Sequence, residues 1–215
     1  MRLRPSRQRG GKVDMRRTVR SAMRHGGEPV GLAWRRRATH PRRLVILADV
    51  SGSMERYARA MLRFAHAVRS ARLHVEVFTL ATRLTRVTRA LSGRDADAAL
   101  AEVAASVEDW SSGTRLGPML AEFNDEWGSR GMARGAVVVI MSDGWERGDP
   151  ALLGSEMVRL HRLAHSVIWV NPLKASPGFQ PLAQGMAAAL PSVDEFISGH
   201  SFSDLKHLAA VIRGS

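Results

Sequence analysis

The 215-residue chain has room for one α/β domain and an appendage. A hydrophobic fraction of 45% supports a sizeable core and excludes disorder throughout, and the lack of cysteine excludes a disulfide framework or a thiolate metal site. The formal charge of +12 belongs entirely to residues 1–43, where fourteen Lys and Arg face only Asp14 and Glu28, while residues 44–215 balance. No apolar run approaches the roughly 18 residues needed to span a bilayer, and the Arg-rich N-terminus lacks the apolar segment of a secretory signal. A cytoplasmic protein is expected.

Residues 1–43 read as a basic N-terminal arm, partly disordered and broken by Pro5, Gly10-Gly11, Gly26-Gly27, Pro29 and Pro41. A short helix over 14–24 is expected inside it, with Asp14 as N-cap and Met15, Val19 and Met23 at i, i+4 and i+8. Such an arm could tether the protein to nucleic acid or an anionic membrane, or bind an acidic protein surface. The plain alternative is a solvated tether, or the remnant of a link to a preceding domain. With Trp34 as its only aromatic and no reading helix or stacking platform, the arm is poorly equipped for nucleic acid.

From residue 44 strands and helices alternate. Leu44 to Ala48 is an apolar run suited to a strand buried on both faces, and Asp49 ends it. Tyr57, Met61, Phe64, Ala65 and Val68 recur at helical spacing and predict a helix over 55–71. A strand is expected over 74–80, and 82–88 reads as a short antiparallel edge strand, β-branched and interrupted by Arg. Helices follow over 95–107 and 117–127. Residues 135–141 form the clearest buried strand, and Asp149-Pro150 should cap and start the next helix. Strands over 166–170 and 193–197 and a closing helix over 202–212 complete the pattern. The alternation implies an α/β fold: a doubly wound, mostly parallel central sheet flanked by helices, with a short antiparallel edge strand.

Asp49, Ser51 and Ser53 place a carboxylate and two hydroxyls where a buried strand gives way to a helix. Ligands bind at that end of the strands in open α/β sheets, and such oxygens suit a hard cation that keeps several waters. Taken singly, these residues are also ordinary turn and N-cap residues. The strand over 135–141 ends similarly in Ser142-Asp143-Gly144, where Gly144 permits a sharp turn. Thr114 offers a third hydroxyl in the loop over 110–117, although an N-cap would use the same residue type.

The order Asp49-x-Ser51-x-Ser53, Thr114, Asp143 resembles the metal-ion-dependent adhesion site (MIDAS) of von Willebrand factor type A (VWA) domains. The resemblance implies a VWA/Rossmann-like fold for 44–215, with Ser51, Ser53 and Thr114 as direct hydroxyl ligands and Asp49 and Asp143 as carboxylates, often acting through water. Mg²⁺ is the implied ion, with Mn²⁺ or Ca²⁺ as alternatives. An open coordination position would accept an Asp or Glu from a partner protein, which is recognition rather than catalysis. The flanks are similar to the CoxE-like branch: Trp110-Ser-x-Gly113-Thr114-Arg115-x-Gly117, Ser142-Asp143-Gly144-Trp145-x-x-Gly148-Asp149-Pro150, Trp169-Val170-Asn171-Pro172-Leu173, and Asp14-x-x-x-Thr18-x-Arg20 with Gly26-Gly27-Glu28. Members of that branch are linked to maturation of molybdenum-containing carbon monoxide dehydrogenase and related hydroxylases, with a MoxR-type AAA+ ATPase. The chain departs from the pattern in its short arm and in Ser112-Gly113 where Gly-Gly is usual.

Competing chemistries find less support. His161 and His165 have a metal-ligand spacing, but the intervening residues lack the Glu of a zincin. Neither G-x-S-x-G nor a phosphate-binding G-x-x-x-x-G-K-[ST] occurs. A Mg²⁺-dependent phosphatase using Asp49 as nucleophile would want a second acid and a Lys, and 44–215 contains only Lys174 and Lys206. No catalytic residue is therefore assigned, and the chain is not expected to be an enzyme. Trp110 and Trp145 are candidates for partner contacts at the metal face. Trp169, Met61, Met119 and Met157 are expected in the core.

Overall fold

A computed structural model describes residues 3–6, 12–28, 31–37, 41–71, 74–107, 114–176 and 183–214. They divide into two units, Met1–Pro41 and Arg42–Ser215.

The first unit holds strand β1 (Leu3–Ser6), strand β2 (Lys12–Val13), helix α1 (Met15–Arg24) and strand β3 (Trp34–Arg37), with the strands in antiparallel order β1-β3-β2. The expected helix starts on its expected cap: Asp14 Oδ1 accepts from Arg17 N at 3.2 Å. The three strands have no hydrophobic signature, because their short segments show no sustained alternation of apolar and polar residues. Asp14 and Thr18 are the buried residues among those described in this unit. Thr18 Oγ1 donates to Asp14 O at 2.9 Å and accepts from Ala33 N at 3.0 Å, while Arg35 Nε lies 2.7 Å from Asp14 Oδ2. The Asp14/Thr18 pair thus ties the helix to the strand segment behind it. Met15, Val19 and Met23 remain exposed.

The second unit runs β4 (Leu44–Asp49), α2 (Glu55–Ala71), β5 (Val75–Leu80), β6 (Leu84–Arg86), α3 (Ala96–Ser106), α4 (Leu116–Phe123), β7 (Val137–Met141), α5 (Pro150–Leu163), β8 (Ser166–Asn171), α6 (Gln184–Ala189), β9 (Glu195–Ser198) and α7 (Phe202–Gly214). The six-stranded sheet has the order β6-β5-β4-β7-β8-β9, parallel throughout except for the short edge strand β6. This is the doubly wound α/β sheet that the sequence predicts. Both faces of the central strands are covered, so every residue of β4 and β7 is buried. Leu44, Ile46 and Ala48 face one core with α2, α3 and α7; Val45 and Leu47 face the other with α4, α5 and α6. Each fully buried Val, Leu or Ile there contributes about 1.5–3 kcal/mol. Trp169, Met61, Met119 and Met157 lie in these cores as expected.

Three details differ from expectation. The helix expected over 117–127 starts at Leu116 and continues beyond Phe123 as a π-helical segment, Asn124–Met132, which ends near Gly131 at φ +107°. Helix α6 was not predicted: its Gly185 and Ala187–Ala189 have too little apolar contrast for a periodic signal, yet Gly185, Met186 and Ala189 are buried. His165 falls beyond the end of α5, and His161 Nε2 is 3.1 Å from Asp194 Oδ1, so the two histidines share no helix face. No helix among the described residues is long and apolar enough to cross a membrane.

Candidate metal centre

The adjacent central strands β4 and β7 deliver Asp49 and Asp143 to the carboxyl edge of the sheet. Past β4 the chain stays in register for one more step, Val50 N donating to Leu80 O at 3.0 Å, and then turns. Gly52–Met54 forms a 3₁₀ turn leading into α2, anchored by the fully buried Met54. Ser51 precedes that turn, yet its hydroxyl makes no capping bond. It lies 3.3 Å from Ser53 Oγ. Adjacent ligands on an octahedral cation at about 2.0–2.1 Å sit about 2.9 Å apart, so the two hydroxyls are spaced like neighbouring donors.

Asp49 is 1% exposed and has both oxygens engaged. Oδ1 accepts from Ser51 N at 2.9 Å and Thr114 Oγ1 at 3.1 Å, and Oδ2 from Ser142 Oγ at 2.6 Å. Burial pushes its carboxyl above the ordinary value, against the bonds from Ser142 and Ser51 that favour the charged form; the nearby charge of Asp143 adds to the rise. Thr114 is 2% exposed and gives its hydroxyl to Asp49; the residue that precedes α4 as its cap is Arg115. The N-cap alternative for Thr114 therefore falls away. The residues before it, including Trp110, Ser112 and Gly113, lie outside those described.

Asp143 is held differently. Its Oδ1 accepts from Trp145 N at 2.9 Å, while its Oδ2 is buried with no hydrogen-bond partner among the described residues. A buried carboxylate oxygen left bare is costly unless something positive or protic meets it. The loop that carries it is tightly held. Ser142 N donates to Val170 O at 3.1 Å, Trp169 Nε1 donates to Ser142 O at 2.9 Å, and Asn171 Nδ2 donates to Asp143 O at 3.0 Å. Gly144 turns the chain at φ +79°, where a Cβ would also come within 2.9 Å of the Met186 Cβ. Beyond it, Trp145 is 66% exposed.

The structure therefore gathers Asp49, Ser51, Ser53, Thr114 and Asp143 from three loops at one edge. Two carboxylates and three hydroxyls, with no nitrogen or sulfur donor, fit a hard, oxygen-liganded cation. Among the described residues no three His, Cys, Asp or Glu side chains group as a metal cage, so any such site leans on its hydroxyls. The sequence motifs include Ser142, Asn171 and Trp169 but do not reveal that Ser142 joins the two carboxylate loops or that Asn171 and Trp169 hold the Asp143 loop. Ser142 was findable: in a parallel β4–β7 pair, the residue after the strand that ends in Met141 falls opposite Asp49.

Comparisons with known proteins agree with this architecture. The family described as VWA domain containing CoxE-like protein matches residues 1–205. Among solved structures, proximal thread matrix protein 1 from the mussel byssus superposes with TM-score 0.54 at 14% identity, covering 80% of this chain and 46% of that one. A von Willebrand factor type A protein from Catenulispora acidiphila superposes with TM-score 0.52 at 18% identity, covering 82% and 42%. A further structure of the mussel protein, described as having a zinc-occupied MIDAS motif, gives TM-score 0.53 at 14% identity, covering 80% and 46%. This chain spans less than half the length of these solved chains. A comparison with curated protein sequences finds no match.

Proposed function

The chain belongs to the family of VWA domain containing CoxE-like proteins, and on that premise we propose that it recognises a partner protein through a divalent cation held at the carboxyl edge of its sheet. VWA domains are generally interaction modules rather than enzymes, and often use a metal-dependent site for the purpose. Ser51, Ser53 and Thr114 would hold the cation by their hydroxyls, and Asp49 and Asp143 would balance its charge. When bound, such a cation supplies a coordination position that a partner's Asp or Glu can complete.

The observation that carries this reading is the contrast between the two carboxylates: Asp49 saturated by Ser51, Thr114 and Ser142, and Asp143 with a bare buried oxygen. Asp49 orients the Thr114 hydroxyl and fixes the Asp143 loop through Ser142. Asp143 keeps an oxygen that no described residue meets. Nothing in this arrangement needs a base or nucleophile, so the protein acts as a binding module. Mg²⁺ is the expected ion; the zinc in the mussel protein's MIDAS supports a divalent cation in general.

The family points to the partners: a MoxR-type AAA+ ATPase and a molybdenum-containing hydroxylase of the carbon monoxide dehydrogenase kind, which this protein would help to mature in the cytoplasm. Pull-down from native lysate with wild type and Asp143→Ala, each in Mg²⁺ and in EDTA, tests both levels. Capture of an ATPase or hydroxylase subunit by wild type in Mg²⁺ alone is the expected result. The same proteins in all four conditions would overturn metal-bridged recognition.

A further inference from the structure

Glu146 engages neighbours that no sequence pattern announces. Its Oε2 accepts from Gly117 N at 2.7 Å and its Oε1 from Gly148 N at 2.5 Å. Gly117 is the second residue of α4, so this carboxylate satisfies an otherwise orphaned N–H at that helix start and lies at its positive end. It does the capping that Arg115, the residue in the cap position, does not: the Arg115 side chain makes no cap bond. The surrounding backbone is fitted closely to it. A Cβ on Gly185, at the start of α6, would come within 2.6 Å of both the Glu146 Cβ and Gly144 O, and one on Gly117 would come within 3.1 Å of Leu153 N.

Thr114 lies three residues before Gly117, and Asp143 three residues before Glu146. The two loops are therefore joined twice. One link runs from Thr114 through Asp49 to Ser142. The other is the Glu146–Gly117 bond. With the second link gone, the Thr114 hydroxyl would be located by its bond to Asp49 and by whatever the start of α4 retains.

We infer that Glu146 is a positioning residue that clamps the Thr114 loop to the Asp143 loop and so sets cation affinity without touching the cation. The inference rests on the proposed reading of the site. Loss of an outer partner of a metal ligand typically costs 10–100-fold in affinity, and Glu146 should fall in that range.

Mn²⁺ titration of the full chain followed by electron paramagnetic resonance tests it, using wild type, Glu146→Ala, Glu146→Gln, Thr114→Ala and the Glu146→Ala/Thr114→Ala double variant. Glu146→Ala is expected to weaken Mn²⁺ about 10–100-fold. Glu146→Gln should lose less, since its carbonyl oxygen can still accept from Gly117. In the Thr114→Ala background the Glu146→Ala loss should largely vanish, because the clamp acts through Thr114. A purely structural role would instead give losses that add. Additive losses, or wild-type affinity in Glu146→Ala, overturn the inference while leaving the site intact. Absence of Mn²⁺ binding by wild type removes the site reading and the clamp with it. Should Glu146→Ala fail to fold, Glu146→Gln with and without Thr114→Ala makes the same comparison.

Discussion

The two edges of the parallel sheet use carboxylates in opposite ways. At the amino edge, Asp194 spends its oxygens within the fold: Oδ2 accepts from Val167 N at 2.7 Å and Oδ1 meets His161 at 3.1 Å. At the carboxyl edge, Asp49 is as fully committed, but its neighbour Asp143 leaves one buried oxygen unmet. A satisfied carboxylate is a structural bolt. An unsatisfied one beside three hydroxyls is an invitation to a cation. The difference separates architecture from function among residues of one chemical type.

The largest effect should come from Asp49→Ala, which orphans the Ser51 N–H and the buried Thr114 and Ser142 hydroxyls. At about 1–3 kcal/mol for each buried group left unpaired, a loss of about 3 kcal/mol or more is expected in urea unfolding of metal-free protein. Retention of stability within about 1 kcal/mol would show that Asp49 is no bolt. Asp143→Ala should do the reverse. Mn²⁺ or Mg²⁺ affinity should fall more than about 100-fold, beyond the cost of losing an outer partner, while metal-free stability changes by only about 1 kcal/mol for the lost Trp145 bond. Isothermal titration beside the same unfolding assay separates the two, and equal losses in both variants would erase the distinction.

Trp145→Ala sharpens the functional side of the contrast. The exposed indole lies two residues beyond Asp143, so metal affinity and stability should hold, while capture of the partner weakens about 30-fold, the lower bound for an interface hot spot. Unchanged capture would move the interface elsewhere.

The smallest effect belongs to Asp194→Asn. Burial works to raise the Asp194 carboxyl, but the Val167 N–H and the imidazoles of His161 and His165 outweigh it and hold the group below its ordinary value. A folded pKa below the unfolded one, about 3.9, contributes stability that is present above that value and lost as pH falls through the folded one. The half-exposed setting limits it to under about 1 kcal/mol. Acid unfolding below about pH 4 should therefore be slightly shallower in Asp194→Asn, with metal affinity unchanged. A shift in metal affinity would mean that the two edges are coupled.

Much of this was readable in the residues. Leu44 to Ala48 and Val137 to Met141 announce double-sided burial because parallel central strands need apolar side chains on both faces. The oxygens after them stand out because polar groups interrupt an apolar run abruptly. The role of Ser142 was not legible locally, since a serine after a strand resembles any turn residue and its partner Asp49 lies 93 positions away. The role of Glu146 is hidden for the same reason, since it depends on a helix start 29 positions earlier. The arm's strands left no trace at all, because segments of two to four residues without alternating apolar positions give no strand period.

The β4–β7 register has a consequence for transplanting this site. Ala48 pairs with Met141, so Asp49 meets Ser142 one step on, and Asp143 falls one step beyond that. A single-residue deletion anywhere in β7 would bring Asp143 opposite Asp49, replacing a hydroxyl donor with a second carboxylate. The binding loops are thus not portable by themselves: an engineer grafting them onto another scaffold must carry the two strands, in phase, as one piece.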